Sequence, residues 1–95
     1  MKITINKQEL EFNYNYSQIK QLCSAKGKKL EDLKDIAEDF GNADLILSIG
    51  VNINLEDATK LLDEDGTFEA VRLIIECFSN EVVRYMNPNS QSQTA

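Results

Sequence analysis

A chain of 95 residues fits one domain, and at this size only about 60–65% of the unfolded surface is buried on folding, so the core is small. A composition of 42% hydrophobic and 27% charged residues is that of an ordinary globular protein and excludes wholesale disorder. Sixteen acids against ten bases leave a net charge of −6, which argues against a nucleic-acid partner, because affinity for a phosphate backbone is supplied largely by Lys and Arg.

Residues 2–14 carry two runs of period two. Ile3 and Ile5 share one face in the first; Leu10, Phe12 and Tyr14 share one in the second. Asn6-Lys7-Gln8 between them predicts a short turn and hence a β-hairpin, although it lacks the Asn-Gly pair that favours such turns. A lone hairpin is marginal in water, so its apolar face must lie on helices or on another subunit's sheet.

Ser17 is the expected N-cap of a first helix, Gln18 to Lys26, with Ile19, Leu22 and Cys23 as its apolar stripe and Gly27 as its stop. Lys26, Lys28 and Lys29 form the one basic cluster, at a helix end where cations oppose the dipole. A second helix is predicted over Leu30 to Phe40, with Leu30, Leu33, Ile36, Ala37 and Phe40 inward and five acids outward. Asn42 is the expected cap of a short helix, Ala43 to Ile49, which is apolar nearly all round and so should be deeply buried or face a partner. Asn54 is the expected cap of the next helix, Leu55 to Leu62, and Asp63-Glu64-Asp65-Gly66 turns into the last one.

That last helix, within Thr67 to Met86, is the longest element, with Thr67 in front and Asn87-Pro88 behind. Phe68, Val71, Ile74, Ile75, Phe78, Val82, Tyr85 and Met86 fall within about 60° either side of one line at 100° per residue. Burying those side chains contributes roughly 10–20 kcal/mol as an upper bound, before their ordering entropy is subtracted. Leu73, Cys77 and Val83 lie off this stripe and are the expected partner-contact residues. The alternative is a neighbouring helix of the same chain packed on that side. The expected fold is therefore mainly α: one domain, residues 1–86, with an N-terminal β-hairpin and about five helices packed around the long C-terminal one. Residues 87–95, NPNSQSQTA, carry no apolar anchor and are expected to be a disordered tail.

The absence of histidine excludes the usual zinc sites and Cys–His or Ser–His–Asp devices. Four scattered glycines make no phosphate loop. An EF-hand reading of Asp63-Glu64-Asp65-Gly66 fails on register: with Gly66 sixth, the first position is Leu61 and the twelfth Arg72, where Asp and Glu are required. No cofactor and no enzymatic activity are expected. Cys23 and Cys77 read as free thiols of a reducing compartment, and no apolar run approaches the roughly 18 residues of a membrane span, so cytoplasmic residence without membrane contact is expected.

The order of elements resembles a known family. The opening has the pattern ITINxxxxEFxYxxxxIKxL and the middle LEDATxLLDExGxFxAV, followed by a terminal helix. Both patterns resemble the tail assembly chaperones of long-tailed bacteriophages and prophages. Asn54, Leu55, Glu56, Asp57, Ala58, Leu61, Leu62, Asp63, Gly66, Phe68, Ala70 and Val71 carry the likeness, which spans residues 1–86. The Asn-Lys-Gln turn and the basic Lys26–Lys29 segment depart from the family's pattern. The resemblance implies a non-enzymatic protein that binds the long helical tape measure protein and keeps it soluble during tail morphogenesis. It also implies self-association into a homo-oligomer and, in many members, a longer form made by frameshifting. Two alternatives differ in class: a small phage or bacterial regulator that binds another protein, and a helical DNA-binding protein using Lys20, Lys26, Lys28 and Lys29.

Overall fold

The computed structural model describes residues 1–86. An antiparallel hairpin, β1 (Lys2–Ile5) and β2 (Gln8–Glu11), opens the chain. Its register pairs Ile3 with Leu10 and Ile5 with Gln8, so Gln8 belongs to the strand and the turn is Asn6-Lys7 alone. Both turn residues are left-handed, φ 52° and 64°, as a two-residue connection matched to the strand twist requires. Ile3 and Ile5 are buried, and beyond β2 the extended chain buries Phe12 and Tyr14 as well. Period two therefore continues past the last ladder bond. The apolar face lies on helices of the same chain: β1 touches α4 (Leu55–Asp65) and β2 touches α3 (Ala43–Val51).

Helix α1 (Tyr16–Lys26) starts two residues earlier than Ser17 predicts, because Asn15 occupies the cap: its N–H donates to Gln18 Oε1 at 3.0 Å. Gly27, at φ 64°, ends it as expected. The predicted helix over Leu30 to Phe40 is broken into a 3₁₀ turn (Leu30–Asp32), α2 (Leu33–Glu38) and a second 3₁₀ turn (Phe40–Asn42). The break falls at Asp39, whose backbone is extended and whose carboxylate accepts from Gly41 N–H at 2.9 Å, a local bond that competes with the helix. Asn42 does not cap α3 with its side chain. It is buried, and its Nδ2 donates to Ile36 O at 3.0 Å, tying α2 to the start of α3.

Helix α3 runs two residues longer than expected and ends at Asn52, which takes the left-handed conformation, φ 64°. It touches α1, β2, α4 and the long helix α5 (Phe68–Met86), so its apolar girth is used on several sides at once. Gly50 allows the closest of these approaches: a Cβ there would lie 2.7 Å from a Phe12 ring carbon and 2.8 Å from one of Tyr14. The Gly50 carbonyl accepts from Asn13 N–H at 2.9 Å. Tyr14 donates its buried hydroxyl to Ile46 O at 2.6 Å and sets its ring edge-on to Phe78, centroids 4.8 Å apart.

Helix α4 is capped by Asn54, whose side chain accepts from Asp57 N–H at 2.8 Å, and continues three residues beyond Leu62 to Asp65. Helix α5 has the expected span, but its buried face differs from the predicted stripe. Ile74, Ile75 and Phe78 are buried as expected, whereas Phe68 and Tyr85 are 61% and 44% exposed and Ala70 and Cys77 are buried instead. The true face is turned by roughly 60° at 100° per residue. The physical reason is that α5 is packed by α3, α4 and α2, so its covered surface is wider on the Cys77 side than one stripe allows. The buried cluster runs from Ile3 to Phe78, drawing on β1, the segment after β2 and helices α1 to α5, with Leu10 of β2 packed against it. The expectation for residues 87–95 lies outside the described residues.

Candidate partner-binding surface

The three residues expected to face a partner have separate fates. Cys77 is only 6% exposed and belongs to the buried core, so in the folded monomer it is not offered to a partner. Leu73 is half-buried and packs against that core. Val83 alone of the three presents a broad apolar surface, at 57% exposure. Position along the helix separates them: Leu73 and Cys77 pack at the core along the middle of α5, while Val83 lies one turn from the helix end.

Val83 also lines a concavity between α2 and α5. Leu33, Lys34 and Ala37 of α2, with Glu31 in front of them, form one wall; Phe78, Ser79, Val82 and Val83 of α5 form the other. The groove encloses about 330 Å³. It exists because α2 is short: six residues extend about 9 Å, against about 28 Å for the 19 of α5, so one wall ends where the other continues. Ala37, a small side chain one turn after Leu33, keeps the floor open. Leu33 and Ala37 stood in the sequence as core positions; Leu33 is indeed buried and Ala37 half-buried, and both also border the groove.

Two aromatic pairs account for the large exposed side chains at the ends of α5. Phe68 leans on Phe40, ring centroids 5.5 Å apart, and Tyr85 stacks on Tyr16 at 6.3 Å. Lys20 Nζ sits 5.8 Å from the centre of the Tyr16 ring, within cation–π range. Of the basic cluster, Lys28 lies 3.9 Å from Asp35 on α2. Part of the positive charge that a DNA-binding reading would need is thus directed toward this chain's own groups.

Burial pushes both cysteine thiols above their ordinary range, helped by Asp32 at Cys23 and by Glu76 and Glu81 at Cys77. A thiol so placed is a poor nucleophile at neutral pH. Burial likewise pushes the Tyr14 phenol up, which keeps it a hydrogen-bond donor. Among the described residues no group of three or more Cys, Asp or Glu side chains is placed to hold a metal ion, and no helix is long and apolar enough to cross a membrane. Comparisons with family models, with curated proteins and with solved structures find no match to this chain.

Proposed function

We propose that this chain is a non-enzymatic tail assembly chaperone that binds exposed apolar helix of a tape measure protein and keeps it soluble, acting as a homo-oligomer in the host cytoplasm. The observation that supports the reading most directly is the groove between α2 and α5. Its lining is largely apolar, with Ala37, Val82 and Val83 reaching its surface over the buried Leu33 and Phe78, and it is flanked by an elongated helix against which a second helix can lie. The resemblance across residues 1–86 supplies the partner's identity. The net charge of −6 suits a protein that must keep an aggregation-prone client in solution.

Co-expression with the tape measure protein of the same tail gene cluster tests this reading. With the wild-type chain the tape measure protein should remain in the supernatant and co-purify. Val82→Asp, which places a charge on the half-buried groove wall, should reduce that recovery at least about ten-fold, the effect of desolvating one unpaired charge at an interface. A tape measure protein that sediments equally with and without the wild-type chain would refute the proposal.

A further inference from the structure

The hairpin turn poses a problem that its own residues do not solve. A two-residue turn of this kind is normally built on Asn-Gly, because both central residues must take positive φ. Here the second is Lys7, at φ 64°, where a Cβ meets the backbone unfavourably. Asn6, at φ 52°, tolerates the conformation better, but its N–H points out of the hairpin and needs an acceptor. That acceptor comes from 59 residues away. Asp65, the last residue of α4, takes the Asn6 N–H on Oδ2 at 2.7 Å. Its other oxygen accepts from the Thr67 hydroxyl, and Thr67 in turn accepts from Ala70 N–H at 3.3 Å and so caps α5. Glu64 Oε1 stands 3.5 Å from Asn6 Nδ2, on the same side of the turn.

We propose that Asp65 is a latch: its carboxylate holds the glycine-free turn in the left-handed conformation, so that the hairpin is closed by the α4–α5 corner and not by its own turn sequence. The inference is independent of the proposed chaperone role. It makes closure of the hairpin depend on the α4–α5 corner: with the Asp65 acceptor withdrawn the turn opens more often, while Ile3 and Ile5 keep β1 seated on the shared core. Both hydrogen bonds of the carboxylate are needed: one orders the turn, and the other fixes the side chain that orders it.

Amide hydrogen exchange on the full-length chain tests the latch. In Asp65→Ala the amides of β1 and β2 should lose about ten-fold of their protection, the scale of freeing one strained left-handed residue, while those of α3 and α5 beyond its first turn keep theirs. Adding Lys7→Gly to Asp65→Ala should restore most of the lost protection, because glycine adopts the turn without the steric cost. Lys7→Gly alone should raise hairpin protection above wild type. Unchanged hairpin protection in Asp65→Ala would overturn the proposal. So would an equal loss in every element, which would make Asp65 a general stabiliser, and so would a loss that Lys7→Gly does not repair.

Discussion

Gly50→Ala sets two effects of opposite sign against each other. In a helix interior the replacement ordinarily stabilises by about 1 kcal/mol, since alanine loses less backbone entropy than glycine. Gly50 lies inside α3, so propensity alone predicts a more stable protein. The packing predicts the reverse. An added Cβ would sit 2.7 and 2.9 Å from two carbons of the Phe12 ring and 2.8 Å from one of Tyr14, where ordinary contact begins at 3.4 Å. Neither ring can swing away: Phe12 is fully buried, and Tyr14 is held by its hydrogen bond to Ile46 O and by the Phe78 ring. Overpacking of a closed core costs about 1–3 kcal/mol, and a double clash with tethered rings belongs at the upper end. The net expectation is a loss of about 2 kcal/mol, or roughly 8–16 °C in Tm for a domain of this size. Urea denaturation with unchanged m reads the difference directly. Phe12→Leu, which removes the nearer ring atoms, should shrink the penalty of Gly50→Ala in a double-mutant cycle. A Gly50→Ala protein as stable as wild type or more so would refute the close approach of α3 to the segment after β2.

Phe78→Ala should cost about 3–5 kcal/mol in denaturant titration, because the ring is fully buried and sits between Tyr14 and the α2 wall; a loss below about 1 kcal/mol would place it at the surface. Leu73→Glu should destabilise the monomer, since Leu73 packs on the core, whereas Val83→Glu should leave its melting unchanged while weakening assembly in sedimentation. Asp65 is held below the usual aspartate range by its bonds from Thr67 and Asn6. A depressed carboxylate contributes stability above its unfolded value, and that contribution is lost as pH falls below about 4 and through the folded value. Wild type should therefore lose stability on acidification more steeply than Asp65→Asn, and parallel curves would contradict the bonding at that corner. Added calcium or zinc should leave Tm unchanged in a thermal melt, and saturable stabilisation at micromolar metal would contradict the loop register at Gly66.

Much of this architecture is local chemistry and was legible from the residues. Asn54 starts α4 and Gly27 ends α1, because capping side chains and left-handed stops act within one turn of the chain, although α4 runs past the expected Leu62 to a left-handed Gly66. Period two over residues 2–14 specified the hairpin and its buried face, and spacings of three and four specified α5 and its central Ile74, Ile75 and Phe78. What the tertiary structure decided were matters that depend on partners distant in sequence. The helix expected over Leu30 to Phe40 breaks because the Asp39 carboxylate bonds Gly41 and the Asn42 side chain is drawn inward to Ile36 O. Cys77 is core and Val83 surface, although both lie off the same stripe, because Cys77 joins the core cluster along the middle of α5 while Val83 lies one turn from the helix end. The turn at Asn6-Lys7 carries no glycine, and the acceptor of its Asn6 N–H, Asp65, lies at the far end of α4, 59 residues away. Periodicity states which side chains seek burial; only the packed helices state how wide the buried face is and which polar group completes a turn from afar.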